Sequence, residues 1–324
     1  MLFSIKTDAG SNKKKFNLDT YIVYIMFIIV LAIFSLWLGG RFFSVNNIIN
    51  IAKQTAMISV MAVGMTFVIA SGNIDLSIGS TVALVGLVVA VVLQNTNNVI
   101  LAVFTGIVMG VVIGYINAFL STVVRIPSFL ATLGMLSVLK GFAMRATDIK
   151  TIPVLNKTYT FIFGLGEIGR LPTLFFWTII ILLIGHFVIN NIPFGKKVLA
   201  VGGNPTAARF TGINNQRVIT MVFIFCSIAA SISAMLYIGR FEAARYTYGE
   251  QDLLTVIAAV IIGGTSLFGG TANIIGSVVG SLLMGVINNG LIIGGLKVPE
   301  QMVAKGAIIL IAVGVSEISR RRRN

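Results

Sequence analysis

Long uninterrupted apolar blocks constrain the fold of this chain more than any other feature of its sequence. Residues 20–38, TYIVYIMFIIVLAIFSLWL, carry no charge, and residues 173–192 carry no ionisable group except one histidine. A helix needs about 20 apolar residues to cross the core of a bilayer. Only 10% of the 324 residues are charged, against roughly 25% in an ordinary soluble domain. The sequence therefore predicts membrane-spanning helices, and the first block is too long for a signal-peptide core, so we expect it to be retained.

Ten segments of the chain have the apolar character of a membrane span. They are predicted at 20–38, 48–70, 77–94, 99–121, 128–147, 173–192, 218–238, 254–268, 274–293 and 301–318. The eighth is short and rich in glycine, which indicates a broken helix. We expect an all-α polytopic membrane protein with about ten transmembrane helices. They form one domain over 20–318, between an N-terminal cytoplasmic tail (1–19) and a basic cytoplasmic tail (319–324).

The distribution of lysine and arginine predicts that both termini are cytoplasmic. Thirteen basic residues then fall in the inside segments and seven in the outside segments, as expected when positive charge is retained on the cytoplasmic side. The inside segments are 1–19, 71–76, 122–127, 193–217, 269–273 and 319–324. The outside segments are 39–47, 95–98, 148–172, 239–253 and 294–300. The basic residues behind the net charge of +14 are therefore interpreted as orientation signals, with binding of membrane lipid as a secondary role. They do not indicate nucleic-acid binding.

Two glycine-interrupted segments make the two halves of the chain weakly similar. Residues 67–86 and 260–285 each begin as a β-branched apolar run, continue through a cluster of Gly, Ser, Thr and Asn, and end as a helix of small residues. Paired interruptions in two halves of a transporter indicate a path between repeats, although chance similarity is also open. Close helix packing is predicted by glycines at four-residue spacing, namely Gly106, Gly110, Gly114, Gly276 and Gly280.

The polar stretch SGNIDLSIGS (71–80) interrupts an apolar run and contains its only ionised residue, Asp75. Three roles are open for this carboxylate. It caps the following helix by accepting free backbone N–H groups, it lines a gate, or it contacts the transported molecule. The charge distribution places 71–76 at the inner surface, so capping is favoured, with the carboxylate in contact with water.

Residues 193–217 form the longest inside segment between spans. Their middle part, NPTAARFTGI, predicts a short amphipathic helix with Asn204 as N-cap, Pro205 in the first helical position and Gly212 after its end. Such a helix suits docking into a groove of another protein. From the spacing alone, a solvated connector that carries positive charge on the inner side is favoured over docking.

The chain lacks the residue sets of the common catalytic and nucleotide-binding sites. It has no G-x-x-x-x-G-K-[ST] phosphate loop. It also has no pattern that indicates a metal site, a histidine–carboxylate cluster, or a nucleophile beside a base. The single cysteine, Cys226, lies in an apolar segment and is predicted to be a buried small side chain. If ATP drives this protein, another chain hydrolyses it.

Several long motifs resemble the membrane permeases of bacterial sugar ABC importers, and the ribose permease group above all. They are GMTFVIASGNIDLSIGS (64–80), RIPSFLATLGMLSVLKG (125–141), GGNPTAARFTGIN (202–214), AAVIIGGTSLFGG (258–270) and GSVVGSLLMGVINNGL (276–291). The resemblance covers nearly the whole chain after the first span. It implies a multi-pass permease of the bacterial cytoplasmic (inner) membrane that forms a homodimer. It also implies two partners, a cytoplasmic ABC ATPase subunit that binds ATP and Mg, and an extracellular or periplasmic sugar-binding protein. The permease itself is expected to have no cofactor and no catalytic residue.

The resemblance also assigns expected roles to individual residues. The ATPase-coupling residues are predicted to be Gly203, Asn204, Ala207, Ala208, Gly212 and Ile213. Because the two alanines are small, a bulky residue at Ala208 is expected to clash with the ATPase. The translocation path or gate is predicted to involve Asn73, Asp75, Ser77, Asn117, Asn288 and Asn289. The last three lie in apolar spans, where helix-to-helix hydrogen bonds explain them equally well. Position 73 is Asn where Gly is expected in relatives, and Asn also tolerates a positive φ.

The function that the resemblance implies is ATP-driven import of a monosaccharide, with ribose as the first choice. Xylose, another aldose, a nucleoside or an autoinducer are alternatives within the same family. An ion-coupled secondary sugar transporter is the alternative class. The scarcity of acidic residues within the spans argues against proton coupling, and it does not exclude sodium coupling.

Overall fold

The computed structural model describes residues 18–321, and within this range the chain is mostly helical. The α-helices are α1 (Leu18–Leu38), α2 (Val45–Ala70), α3 (Ile78–Thr96), α4 (Val99–Thr122), α5 (Ser128–Thr147), α6 (Lys157–Thr160), α7 (Thr173–Asn191), α8 (Pro193–Gly203), α9 (Pro205–Phe210), α10 (Asn215–Phe241), α11 (Leu253–Ile262), α12 (Ile274–Ile293) and α13 (Val298–Arg321). Two small antiparallel ladders pair β1 (Ile152–Pro153) with β4 (Ala243–Ala244), and β2 (Glu167–Ile168) with β3 (Leu171–Pro172).

Eight of the described helices are long and apolar enough to cross a membrane, namely α1, α2, α3, α4, α5, α7, α10 and α12. Each coincides with a span predicted from the sequence. The predicted eighth span contains only the ten-residue helix α11, which is about 15 Å long and so crosses half of a bilayer core. The tenth predicted span falls within α13, which carries several charged residues. The polytopic helical fold is therefore confirmed, and the count of ten spans stays a prediction.

The helices form a buried central group and an outer layer. The central helices α2, α3, α10 and α12 are mostly buried. Helix α10 packs against α2, α3 and α4, and α12 packs against α1, α2 and α11. The outer helices α1, α4, α5 and α7 expose large apolar side chains, which suits contact with lipid.

The predicted glycine ridges pack inside this bundle. A Cβ at Gly110 would lie 2.8 Å from the Ser227 carbonyl oxygen of α10. A Cβ at Gly280 would lie 3.0 Å from the Ala259 carbonyl carbon of α11. Because real Cβ atoms do not approach backbone so closely, only glycine permits these contacts. The packing role predicted for the ridges is confirmed, and the contacts lie within one chain.

Contacts between loops show which of them share a face of the bundle. The Gly270 N–H donates to the Ala70 carbonyl oxygen at 2.9 Å, and the Ile74 N–H donates to Ser128 Oγ at 3.3 Å. These bonds bring the α2–α3 turn, the start of α5 and the α11–α12 loop together on one face, and the end of α8 packs against them. We call this the inner face, following the charge distribution. The β1–β4 ladder and the Asn156–Asn97 side-chain bond (2.7 Å) lie at the other end of the bundle, which we call the outer face.

The two similar segments of the sequence share a local structure. Two residues after each of the helices α2 and α11 lies a glycine with positive φ, Gly72 at 79° and Gly264 at 93°. In each case the N–H of the following residue donates to the carbonyl five residues earlier, at 3.1 and 3.2 Å. This is the Schellman arrangement, which satisfies carbonyls left free at a helix end. The weak similarity of the two halves therefore coincides with a matching pair of helix ends.

Labelling of single cysteines should test which face is cytoplasmic. Asn204 and Thr158 are both exposed but lie on opposite faces, and Cys226, the one cysteine of the sequence, is buried. In intact cells an impermeant thiol reagent should label a cysteine at Thr158 and should miss one at Asn204. The cysteine at Asn204 should become reactive after permeabilisation. Labelling of Asn204 from outside would invert the predicted orientation. Of the predicted cytoplasmic tails, 1–19 and 319–324, residues 1–17 and 322–324 lie outside the described residues.

Candidate functional site

The turn between α2 and α3, residues 71–77, folds into the bundle. Asp75 and Ser77 are fully buried. Asp75 Oδ1 accepts hydrogen bonds from the Ser77 N–H at 2.8 Å and from the Ser77 hydroxyl at 2.6 Å. The Asn117 side chain, on α4, donates from Nδ2 to Ser77 Oγ at 2.8 Å. Three of the predicted path residues thus meet in one buried polar group, which we call the Asp75 cluster.

The prediction that Asp75 is a water-exposed helix cap is wrong. The N-cap of α3 is Ser77, whose side chain makes no capping hydrogen bond, and Asp75 lies two residues earlier. Its carboxylate accepts the N–H of the N-cap residue and does not reach the first helical N–H groups. The reason for the burial is a tertiary contact, because Thr132 of α5 covers the turn and its Oγ1 accepts the Leu76 N–H at 3.0 Å.

The Asp75 cluster has more acceptors than donors. Asp75 Oδ2 and Asn117 Oδ1 are buried and have no hydrogen-bond partner among the described residues. Burial raises the pKa of the Asp75 carboxyl, because desolvation disfavours its charged form. Hydrogen bonds from Ser77 and Asn117 act in the opposite direction and are smaller. A protonated carboxyl carries an O–H donor, and so would supply one of the bonds that the cluster lacks.

Asp75→Asn should therefore keep most transport activity and should change the pH dependence of stability. The protonated Asp75 carboxyl stabilises the fold when its folded-state pKa lies above its unfolded value. This stabilisation is fully present below about pH 4, the pKa of an unfolded Asp, and is lost as the pH rises through the folded-state pKa. Asn stays neutral and escapes this loss. Thermal unfolding in detergent should show the melting temperature of the variant rising relative to wild type between pH 4 and pH 8. A relative fall over this range would show that the charged carboxylate stabilises the fold.

The other predicted path residues lie apart from this cluster. Asn73 is half-buried and donates from Nδ2 to Ser71 Oγ at 3.0 Å. It does not adopt a positive φ, which falls on Gly72 instead, so an Asn at position 73 needs no special conformation. Asn288 and Asn289 lie about 15 residues from the inner-face end of α12, which is roughly 20 Å at 1.5 Å per residue. They therefore belong to the outer half of the bundle.

The predicted inner-face helix is present. Helix α9 begins at Pro205, and Asn204 Oδ1 accepts the Ala207 N–H at 2.9 Å, as predicted for its N-cap. Gly212 follows the helix with a φ of 85°, and the Ile213 N–H donates to the Ala208 carbonyl at 3.1 Å. Both ends of this short helix are thus fixed by local hydrogen bonds, as the sequence predicted.

Helix α9 presents a different surface from the one predicted. Ala208 is buried because this side of α9 packs against α8 and α10. A bulky residue there would disturb the permease's own core, so the expected clash of Ala208 with a partner is wrong. Ala207 is exposed, and Phe210 is 86% exposed. Phe210 was not among the residues predicted from the sequence. A large aromatic side chain on a short polar helix was the feature that could have indicated it.

Residues 242–252, which were predicted to lie outside, descend into the bundle, and we call them the re-entrant segment. The segment begins beside β1 at the outer face, where Ala243 and Ala244 pair. Further along, Gly249 packs on the first turn of α3, since a Cβ at Gly79 would lie 2.5 Å from the Gly249 carbonyl oxygen. Gly79 is about 25 Å along α3 from its outer end at Thr96. The outside location is therefore wrong for the tip of this segment.

Two side-chain contacts fasten the re-entrant segment to spanning helices. Lys140 Nζ of α5 lies 2.6 Å from Glu250 Oε1, and the two side chains are 34% and 42% exposed. The Tyr237 hydroxyl of α10 donates to Asp252 Oδ2. Ionisable residues within membrane spans commonly mark a substrate or ion path. Lys140 could have been found by this signal, as an isolated lysine in a predicted span, whereas its partner Glu250 could not.

Comparison with known proteins assigns the chain to a class and a family. The family model described as "Branched-chain amino acid transport system / permease component" matches residues 47–313. Together with the eight described helices that are long and apolar enough to cross a membrane, this match defines a multi-pass membrane permease of a transport system. The chain belongs to that permease-component family. No solved structure matches it.

Three curated relatives are similar over most of their length. The ribose import permease protein RbsC of Escherichia coli strain K12 is 36% identical over 292 residues, covering 89% of this chain and 91% of the relative. RbsC of Bacillus subtilis strain 168 is 36% identical over 277 residues, covering 85% and 86%. The D-allose transport system permease protein AlsC of Escherichia coli strain K12 is 31% identical over 319 residues, covering 97% of both chains.

Proposed function

We propose that this chain is the transmembrane subunit of an ATP-driven importer that carries ribose across the bacterial cytoplasmic membrane. The observation that carries this proposal is 36% identity to the ribose import permeases of Escherichia coli and Bacillus subtilis over at least 85% of the chain. The similarity to an allose permease over 97% of the chain makes D-allose the second candidate sugar.

The proposal places ATP hydrolysis on a separate ATPase subunit that binds ATP and Mg and docks on α9. Asn204, Gly212 and Ile213 fix the ends of this helix, and Gly203 links it to α8. Ala207 and Phe210 lie on its exposed surface. A short helix with an exposed aromatic side chain suits insertion into an apolar groove. The buried Ala208 then supports the helix from behind.

The proposal places the sugar path beside α5 and the re-entrant segment. The Lys140–Glu250 pair is only partly buried by its own chain. Charged groups at membrane depth are costly in contact with lipid, so the exposed side of this pair is expected to face water. Two copies of the chain, facing each other across a water-filled path, would provide such surroundings. The Asp75 cluster supports the inner end of this wall, while Asn73, Asn288 and Asn289 are the other polar candidates along it. An extracellular or periplasmic sugar-binding protein delivers the sugar.

An uptake panel tests the proposed substrate. The permease is co-expressed with an ABC ATPase and a sugar-binding protein from the same organism, in cells that lack their own pentose and hexose importers. Labelled ribose should accumulate, and unlabelled ribose should compete better than allose or xylose. Accumulation of allose but not ribose would replace the first candidate with the second. Accumulation of neither would reject both.

A further inference from the structure

The end of α8 meets both halves of the chain at a single point on the inner face. Gly202 lies between the end of α2 and the α11–α12 loop. A Cβ at Gly202 would overlap the Ala70 carbonyl oxygen and would lie 2.8 Å from the Gly270 nitrogen. Gly269 packs on the same residue, since its Cβ would lie 2.6 Å from the Gly202 carbonyl oxygen. We call this contact the glycine junction, formed by Ala70, Gly202, Gly269 and Gly270.

The junction is built from backbone alone. Ala70 is the last residue of α2, and its carbonyl is one of those left free at a helix end. It accepts the Gly270 N–H at 2.9 Å, so a loop of the second half completes the hydrogen bonding of a helix of the first half. Gly202 packs directly on this bond. The atoms nearest to a Cβ at Gly202 are all backbone atoms, of Ala70 and Gly270, and backbone atoms cannot change rotamer to absorb a displacement.

The junction connects the surfaces that the proposed function requires to communicate. Gly202 is two residues before Asn204, the N-cap of α9. Ala70 is five residues before Asp75 and leads directly into the buried turn. The turn is hydrogen-bonded to α5, because the Leu76 N–H donates to Thr132 Oγ1 at 3.0 Å. A displacement of α9 thus has a short, close-packed route to the wall of the proposed path.

We propose that the glycine junction is a rigid coupling point that transmits movement of α9 to both halves of the permease at once. Gly202 is its positioning residue, since it touches neither nucleotide nor sugar. The inference rests on the proposed docking of an ATPase at α9, and it adds the place where that docking acts on the transport domain.

The first test is Gly202→Ala in the reconstituted complex with the ATPase and the sugar-binding protein. The added methyl group has to push Ala70 and Gly270 apart. The ATPase should still co-purify, because the exposed surface of α9 is unchanged, but ribose uptake per ATP hydrolysed should fall about tenfold or more. Gly40→Ala is the matched control, since a Cβ at Gly40 meets nothing within 4 Å, and its coupling ratio should equal that of wild type. A wild-type ratio in a well-assembled Gly202→Ala complex would overturn the inference.

The second test works even if Gly202→Ala fails to assemble. It follows hydrogen exchange of the Gly270 N–H in the wild-type complex, because this N–H donates to the Ala70 carbonyl at 2.9 Å. If the junction moves as one body, exchange of this N–H should be equally slow with and without ATP. Much faster exchange in one nucleotide state would show that the α11–α12 loop separates from the end of α2 and would overturn the proposal. Failure of the wild-type complex to import sugar would count against the proposed function, whatever the junction variants do.

Discussion

Phe210→Asp is expected to release the ATPase and abolish ATP-driven uptake, while the permease still inserts and folds. Phe210 is 86% exposed on α9 and makes little contact with its own chain, so its replacement should leave the fold intact. Truncation of an aromatic hot-spot residue at the centre of an interface costs about 2 kcal/mol or more of binding free energy, and a carboxylate in its place would be buried without a partner. Affinity for the ATPase should fall at least about 30-fold, at 1.4 kcal/mol per decade.

Co-purification and uptake measured on the same membranes check this prediction. Leu155→Asp is the matched control, because Leu155 is 83% exposed and lies near β1 at the opposite face. It should retain the ATPase in full. Normal ATPase recovery with Phe210→Asp would show that α9 is a solvated connector. Loss of the permease from the membrane in both variants would show that these exposed apolar residues serve the fold or the lipid contact.

Lys140→Glu is expected to block uptake, and a second change at Glu250 should restore it. The variant places two carboxylates at the site of the 2.6 Å ion pair. Two like charges at 4 Å repel by up to about 4 kcal/mol at an effective dielectric constant of 20. This repulsion should push the re-entrant segment away from α5. The double variant Lys140→Glu with Glu250→Lys recreates an opposite-charge pair, and uptake should recover substantially.

Helix α5 offers its own control for this pair. Arg145 lies 3.5 Å from Asp148 at the outer end of α5, and these side chains are 86% and 74% exposed. Exposed ion pairs contribute roughly 0–1 kcal/mol, so Arg145→Glu should transport at a rate close to wild type. If Lys140→Glu alone transports normally, the pair has no role at the path. If the double variant stays inactive at normal abundance in the membrane, loss of the ion pair does not explain the loss of uptake. Uptake would then depend on which of the two positions carries each charge.

The parts of this structure that were predictable from sequence depend on local signals. The spanning helices follow from the length of their apolar runs. The ends of α9 follow from Asn204, Pro205 and Gly212, because capping involves only neighbouring residues. The matching ends of α2 and α11 were visible as similar strings for the same reason.

The sequence-based predictions that were wrong concern features that depend on contacts between distant segments. Asp75 was placed in water because the charge distribution locates a turn only along the membrane normal, whereas its burial depends on α4 and α5. The descent of the re-entrant segment depends on the close approach of Gly249 to Gly79, which neither stretch predicts alone. The exposure of Phe210 and the burial of Ala208 depend on which side of α9 packs against α10.

The central claim is that ATP hydrolysis on a partner subunit drives sugar import through this chain. Its most direct test is uptake into proteoliposomes that contain the permease and its ATPase, with the sugar-binding protein outside and ATP inside. Ribose should accumulate only with hydrolysable ATP and Mg, at a rate unchanged by a protonophore or by removal of sodium. Accumulation driven by a proton or sodium gradient, without ATP or the ATPase, would contradict it and identify a secondary transporter.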